Sequence, residues 1–524
     1  MSRPISLCLL LALLIALRVS APSDLMEGAQ SKQVGYVMDV LLQRHWLLQY
    51  EINGEVATKP PLYNWCAAAI CQICGTEAEW AMKLPSLLAG VGLLCCVYWL
   101  ARHYFDSRVA FYAIVACITS HHFSKLAWFA RTDMLMTFLL YLGIVVQLAW
   151  RPGWKRTLCI SLIMAGCALT KGPTGPLLYL LFLAWWCWEN QTWERTEAWK
   201  HFCAGSALCL GIVGVWVAAV WQMPDFQEQV IYWQLGDRLV DPERARSFML
   251  PIVYLFTRIA PWPVLALAGV WMSRRQQIAW PEVQGLVIWT LLFLAFFCAI
   301  PTKRHDHVLP VYPPVYLLAG FALKQILEPV LLPRARWVMW PLCGFLMLSP
   351  FVLPWVNEPQ VWGLMAGAFV CGAVGFLIYL HGRRFAFVVA AAGLLCLHGL
   401  YHHQIHGEGR VDYDKLLAFV KEVKTKRSPT ERLAVFHAHP LIAYELRMHE
   451  TLIKPQDVAV LQPTWVITTE EQMPKLQEAM QAELILVEKI SLAPRRDRAQ
   501  LYRVARTPEE KQWAQKEQPG ERVQ

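Results

Sequence analysis

The chain has 524 residues, of which 56% are hydrophobic and only 17% charged, with 25 Trp; a soluble globular domain is about 45–50% apolar and about 25% charged. The apolar excess falls in blocks of about 16–22 residues, the length that crosses a bilayer core as a helix, so a soluble globular protein is excluded. The formal net charge of +9 sits largely in short loops between those blocks, where Lys and Arg fix topology. That distribution argues against nucleic acid as a partner.

The first block is Ile5–Val19, after Arg3. It reads as an uncleaved first helix in preference to a signal peptide ending near Ala21. A more polar stretch, Ser20–Lys83, follows, with amphipathic character around Val34–Leu48 that suits a helix lying in the membrane interface. Further candidate spans are Leu84–Ala101, Val109–Phe123, Met134–Trp150, Thr157–Thr170, Thr174–Trp188 and Phe202–Met223. Then come Met249–Trp271, Gln284–Ile300, Val308–Ile326, Trp337–Val356, Val361–Leu380 and Phe385–Leu400. Backbone groups in lipid must pair internally, so these blocks are helices, and with the first block they make about thirteen. With the N-terminus inside, each inside loop holds at least two basic residues, for example Arg102 and Arg108, Arg274 and Arg275, and Arg383 and Arg384. An odd count then puts the long first loop and the C-terminal region outside.

Beyond His402 the pattern changes. Val411–Thr425 is amphipathic, and Arg432–His437, Thr464–Thr468, Leu484–Lys489 and Gln500–Val504 read as short strands, with helical runs such as Pro474–Ala482 between them. The expected architecture is an α-helical polytopic membrane domain over residues 1–402, whose first extracytoplasmic loop is 20–83. It is followed by a small α/β extracytoplasmic domain over 403–506 and a charged tail over 507–524. The 16 Cys read mostly as small buried hydrophobes. One Cys71-Gln-Ile-Cys74 pair lacks the second pair or His that zinc needs, though a local disulfide is open to it.

Four segments carry candidate chemistry. In the first loop, with the acids Asp24, Glu27 and Asp39, Thr58-Lys59-Pro60-Pro61-Leu62-Tyr63-Asn64-Trp65 presents one cation stiffly, because proline restricts the residue before it and removes backbone donors. Lys59 reads equally well as an interfacial side chain reaching out of the bilayer. Asp133, in Ala130-Arg131-Thr132-Asp133-Met134-Leu135-Met136-Thr137, stands at the edge of an apolar run, where an ionisable group is costly unless paired or functional. A helix cap is the alternative. Lys171 lies in Leu169-Thr170-Lys171-Gly172-Pro173-Thr174-Gly175-Pro176, a tight outside turn that owes nothing to positive-inside bias. Pro301-Thr302-Lys303-Arg304-His305-Asp306-His307, before Leu309-Pro310-Val311-Tyr312-Pro313, sets two cations beside a Pro-interrupted helix, a good anion site. Two His at i and i+2 without a third ligand are a weak metal signal; no metal site is assigned, and a divalent cation is allowed but not indicated.

The TKPPLYNW, ARTDMLMT, LTKGPTGP and PTKRHDHVLPVYP runs resemble motifs found in the same order in polyprenyl-phosphate-dependent glycosyltransferases of the GT-C type. Lipid A aminoarabinose transferases and the protein mannosyltransferase-like bacterial proteins look closest. The resemblance covers roughly Ser20–Ile326. It implies an essential acid in the first outside loop, placed on Glu27 with Asp24 in reserve, and a second acid at Asp133. It also implies that Lys59, Lys171, Arg238, Lys303 and Arg304 bind the donor's lipid phosphate. No cofactor is implied.

The reaction implied is inverting transfer of a sugar from a polyprenyl-phosphate donor to a glycolipid or protein acceptor, at the outer face of a bacterial-type inner membrane. A carboxylate would take the acceptor's proton, and cations would hold the departing phosphate as its charge grows. The rival readings are a transporter or flippase of lipid-linked glycans, which more charge inside the spans would favour, and an inactive homologue.

Overall fold

The computed structural model describes residues 3–26, 30–192, 196–230, 247–300, 303–327, 332–348, 359–380, 386–404, 407–448, 452, 454–490 and 499–507. The chain divides into two compact units. The first comprises Met1–Pro22, Lys83–Ala219 and Ile231–Ile405; the second comprises Ser23–Met82, Val220–Val230 and His406–Gln524.

The first unit is helical. In chain order its helices are α1 (Arg3–Val19), α4 (Glu79–Tyr104), α5 (Ser107–Ile118), α6 (His121–Ala127), α7 (Thr132–Ala149), α8 (Trp154–Lys171), α9 (Thr174–Glu189) and α10 (Thr196–Trp221). They continue with α11 (Leu250–Arg258), α12 (Trp262–Gln276), α13 (Trp280–Ala299), a 3-10 turn (His305–Val311), α14 (Tyr312–Leu327), α15 (Leu332–Met347), α16 (Pro359–Leu380) and α17 (Ala386–Gln404). Among the described residues, four helices are long and apolar enough to cross a membrane: α4, α7, α10 and α13. Counting α11 and α12 as one span bent by 97° makes five; the bend falls where Pro261 and Pro263 withhold backbone donors. Several of the expected apolar blocks form shorter helices, such as the 12-residue α5, which stops at Ile118. The outward face of α10 is apolar, with Leu210 71% and Val215 74% exposed, as lipid contact requires and water would not tolerate over a large patch.

Close helix packing rests on small residues, as in membrane bundles generally. At Gly320 of α14 a Cβ would lie 2.7 Å from the backbone N of Ala113 and 2.8 Å from the carbonyl O of Val109, both on α5. At Gly269 of α12 it would lie 2.7 Å from the carbonyl O of Leu318 on α14. The buried core of this unit runs through α4, α5, α7, α13 and α14, with Trp289, Tyr141 and Phe293 among its largest side chains.

The second unit carries the small α/β fold expected at the C-terminus. Strands β1 (Leu433–Val435), β2 (Trp465–Thr469), β3 (Glu483–Lys489) and β4 (Ala499–Ala505) form one sheet of order β1-β2-β4-β3. The first pair is parallel and the other two antiparallel, with a bulge at Leu486/Glu488. Helices α18 (Gly407–Lys426), α19 (Pro440–Leu446), α20 (Pro455–Leu461) and α21 (Met473–Met480) accompany it. Phe436, Val458, Val466, Leu476 and Val504 form the core. From the first loop this unit takes α2 (Gln30–Leu42) and α3 (Leu62–Cys74). The cysteines are free, including Cys71 and Cys74 on α3. At i and i+3 of one helix, the first is buried and the second exposed, so the disulfide left open by the sequence does not form.

Candidate functional site

Of the charged residues that the sequence singles out in the first unit, Asp133, Lys171 and Arg304 meet at one end of its helices. Helices α7 and α8 pack side by side and are joined by four residues, so they form a hairpin. The N-terminus of α7 therefore lies beside the C-terminus of α8. Arg131 is the N-cap residue of α7, extended at φ −153° and ψ 153°, and its side chain does not cap the helix. Asp133 sits in the first turn, where a negative charge complements the helix dipole. Lys171 is the last residue of α8, where a positive charge does the same. The turn then leaves through Gly172 at φ 70° and ψ −151°, a conformation open to glycine and strained for other residues.

Asp133 is thus a buried ion-pair acceptor and does not occupy the N-cap position. Its Oδ1 accepts from the Lys171 ammonium, and Arg131 Nε lies 3.2 Å from its Oδ2. The Asp133 side chain is 1% exposed and that of Lys171 9%. Arg131 bridges onward, its Nη1 donating to Oδ2 of Asp306 in the 3-10 turn. The other oxygen of Asp306, Oδ1, lies 2.9 Å from His305 Nε2 and 3.3 Å from His122 Nε2, while Arg304 Nη2 stands 3.7 Å from Oδ2. His122 Nδ1 is 2.7 Å from the Tyr312 hydroxyl. Backbone clamps hold the frame: Tyr141 donates to the carbonyl of Pro310 at 2.7 Å, and Ser86 to that of Arg131 at 3.2 Å.

This is one chain of alternating charge, from Lys171 through Asp133 and Arg131 to Asp306 and its histidines. Burial pushes the Asp306 carboxyl up. Hydrogen bonds from His122 and His305 and the charge of Arg131 outweigh that push and hold it well below the usual carboxylate range. Chemically, the arrangement keeps fixed cations in place at a helix end. Both oxygens of Asp133 face those cations.

The remaining expected site residues fall as follows. Lys303 is buried and donates to the carbonyl of Ile300 at 2.7 Å, and Arg304 is exposed beside Asp306. Asp24 and Lys59 belong to the second unit. The carboxylate and carbonyl of Asp24 accept from the Gln30 amide at 3.1 and 2.7 Å, and Lys59 is half-buried before α3. Glu27 and Arg238 lie outside the described residues. Sequence reasoning weighed Asp306 only beside His305 and His307, as a metal set it did not assign, and passed over His122. Its signal was available, since His121 and His122 interrupt an apolar stretch. In the second unit Asp39, one of the first-loop acids named from the sequence, is fully buried, accepts from the Tyr50 backbone N–H at 2.8 Å and lies 3.0 Å from His45 Nδ1.

Among the described residues, a cavity of about 860 Å³ lies elsewhere, lined by Gln147, Arg156, Thr157, Trp199 and His201 among others. Gln147 is near the end of α7 and Arg156 near the start of α8, so it opens at the opposite end of the hairpin from Asp133.

Comparison with known proteins agrees with the motifs. Residues 58–219 match the family model described as dolichyl-phosphate-mannose-protein mannosyltransferase, a range that holds three of the four motifs. The undecaprenyl phosphate-alpha-4-amino-4-deoxy-L-arabinose arabinosyl transferase of Pseudomonas paraeruginosa (strain DSM 24068 / PA7) is 25% identical over 311 residues, 55% of this chain and 54% of that protein. A second such transferase, from Pseudomonas fluorescens (strain Pf0-1), is 25% identical over 307 residues, again 55% and 54%. The chain spans about half the length of the curated relatives it matches. Its fold is similar to that of ArnT from Cupriavidus metallidurans, solved bound to undecaprenyl phosphate, with a TM-score of 0.69 at 17% identity over 94% of this chain and 97% of that one. The Archaeoglobus fulgidus oligosaccharyltransferase superposes with a TM-score of 0.50 at 12% identity, over 90% and 70%. The chain has an ArnT-like fold, and its likeness is to polyprenyl-phosphate glycosyltransferases of the GT-C type.

Proposed function

We propose that this chain is an integral-membrane glycosyltransferase that moves a sugar from a polyprenyl-phosphate donor onto an extracytoplasmic glycolipid or protein acceptor, inverting the anomeric centre. The observation that carries the reading is the buried Asp133 held between Lys171 and Arg131, on two motifs that the transferase likeness shares. Such a site holds cations rigidly where an anionic leaving group needs them.

In this reading Glu27, with Asp24 in reserve, takes the acceptor's proton. Asp133 holds Lys171 and Arg131 in place. Lys171, Lys303 and Arg304, with Lys59 and Arg238, neutralise the lipid phosphate as the glycosidic bond breaks. The enzyme sits in a bacterial-type inner membrane, with about thirteen spans counted from the apolar blocks. Residues 1–402 form the membrane domain and 403–506 an outside domain, as the positive-inside loops support.

Membrane vesicles supplied with a polyprenyl-phosphate sugar test the reading. Transfer is expected from the native chain and is expected to fall at least 100-fold in Glu27→Gln and in Asp133→Asn. Undiminished turnover in both variants rejects it.

A further inference from the structure

We propose that His122, His305 and Asp306 form a binding site for a zinc-type divalent cation, unassigned by the transfer reaction. One ring nitrogen of each histidine and an Asp306 oxygen lie within 4.8 Å of one another. Two metal–ligand bonds of about 2.0–2.1 Å at a tetrahedral angle set donor atoms about 3.3 Å apart. The two spacings from Asp306 Oδ1 are 3.3 Å to His122 and 2.9 Å to His305, so a cation between them requires little movement.

The surroundings are those of a metal site beyond its ligands. A metal-bound imidazole usually sends its other nitrogen to an oxygen partner that fixes the ring, and His122 Nδ1 has the Tyr312 hydroxyl at 2.7 Å. A ligating carboxylate is usually oriented through its second oxygen, and that oxygen of Asp306 takes Arg131. Two side chains are enclosed, while His305 is 33% exposed and gives solvent access for an entering ion and a fourth ligand.

The donor set decides which ion. Two imidazoles and one carboxylate suit Zn²⁺, Co²⁺ or Ni²⁺; Mg²⁺ and Ca²⁺ demand oxygen ligands. Sequence spacing could not show this site, because the third ligand, His122, stands 184 residues before Asp306.

The test uses the full chain, purified without a histidine tag in detergent, stripped with chelator and titrated with Co²⁺. One equivalent should bind, with the intense visible bands of low-coordinate cobalt and no thiolate-to-cobalt charge transfer, and Zn²⁺ should displace it. His122→Gln and His305→Gln should each weaken binding at least tenfold, and Tyr312→Phe about tenfold. Absence of saturable binding to the native chain, a thiolate band, or affinity unchanged in both histidine variants overturns the site. None of these measurements involves sugar transfer, so failure here leaves the transferase reading standing, and the converse holds.

Discussion

Lys171 ends α8 with its ammonium against Asp133, 38 residues earlier in the chain, in a pair whose side chains are 9% and 1% exposed. Removing one member of such a pair strands a charge where water does not reach it. Asp133→Asn is expected to destabilise the chain by about 3–5 kcal/mol. Lys171→Met added to that variant should recover part of the loss, since it removes the ammonium left without its carboxylate. Thermal unfolding in detergent measures both, and the double variant should regain stability without regaining transfer.

Arg304 gives the opposite pattern. Its side chain is 48% exposed and 3.7 Å from Asp306, so Arg304→Ala should change stability by no more than about 0.5 kcal/mol. If it grips the donor phosphate, losing that charged hydrogen bond costs about 1.5–3 kcal/mol. The donor KM should then rise about 10- to 100-fold while the melting temperature stays put.

Acid should loosen the network through Asp306. Burial pushes its carboxyl up, but hydrogen bonds from His122 and His305 and the charge of Arg131 hold it well below the usual carboxylate range. The unfolded chain therefore takes up that proton first, so the corresponding stability is whole above the ordinary carboxylate value of about 4 and is lost as pH falls below it. Melting curves of chelator-treated protein should show a drop on acidification below about pH 4 that is smaller in Asp306→Asn.

Two glycines separate packing from helix propensity. Gly320→Val drives a side chain into the backbone of α5 at Val109 and Ala113, which should cost about 3 kcal/mol. A Cβ at Gly344 meets nothing within 4 Å, so Gly344→Ala should stabilise by up to about 1 kcal/mol. Equal effects in the two variants would contradict the packing described.

The sequence reading succeeded where the signal is local. Strand ends in the C-terminal fold fall within a residue or two of the apolar runs, as with Trp465–Thr469 and Glu483–Lys489, because alternation and flanking turn residues are short-range properties. The seven-residue helices Pro440–Leu446 and Pro455–Leu461 went unseen, since two turns are too few to establish a period. Asp133, Lys171 and Arg304 stood out because charge beside apolar sequence is expensive. What they pair with was not legible. Arg131 stands only two residues from Asp133, yet its extended N-cap backbone lets the guanidinium fold back onto the acid and still reach Asp306, 175 residues on.

The Lys171 ammonium is already committed to Asp133. A phosphate that recruits it must take it from that carboxylate, so occupancy and the closure of the α7–α8 hairpin draw on one bond. A bound anion would therefore announce itself as faster amide exchange in the first turn of α7, around residues 131–135, at a position that need not touch the ligand at all.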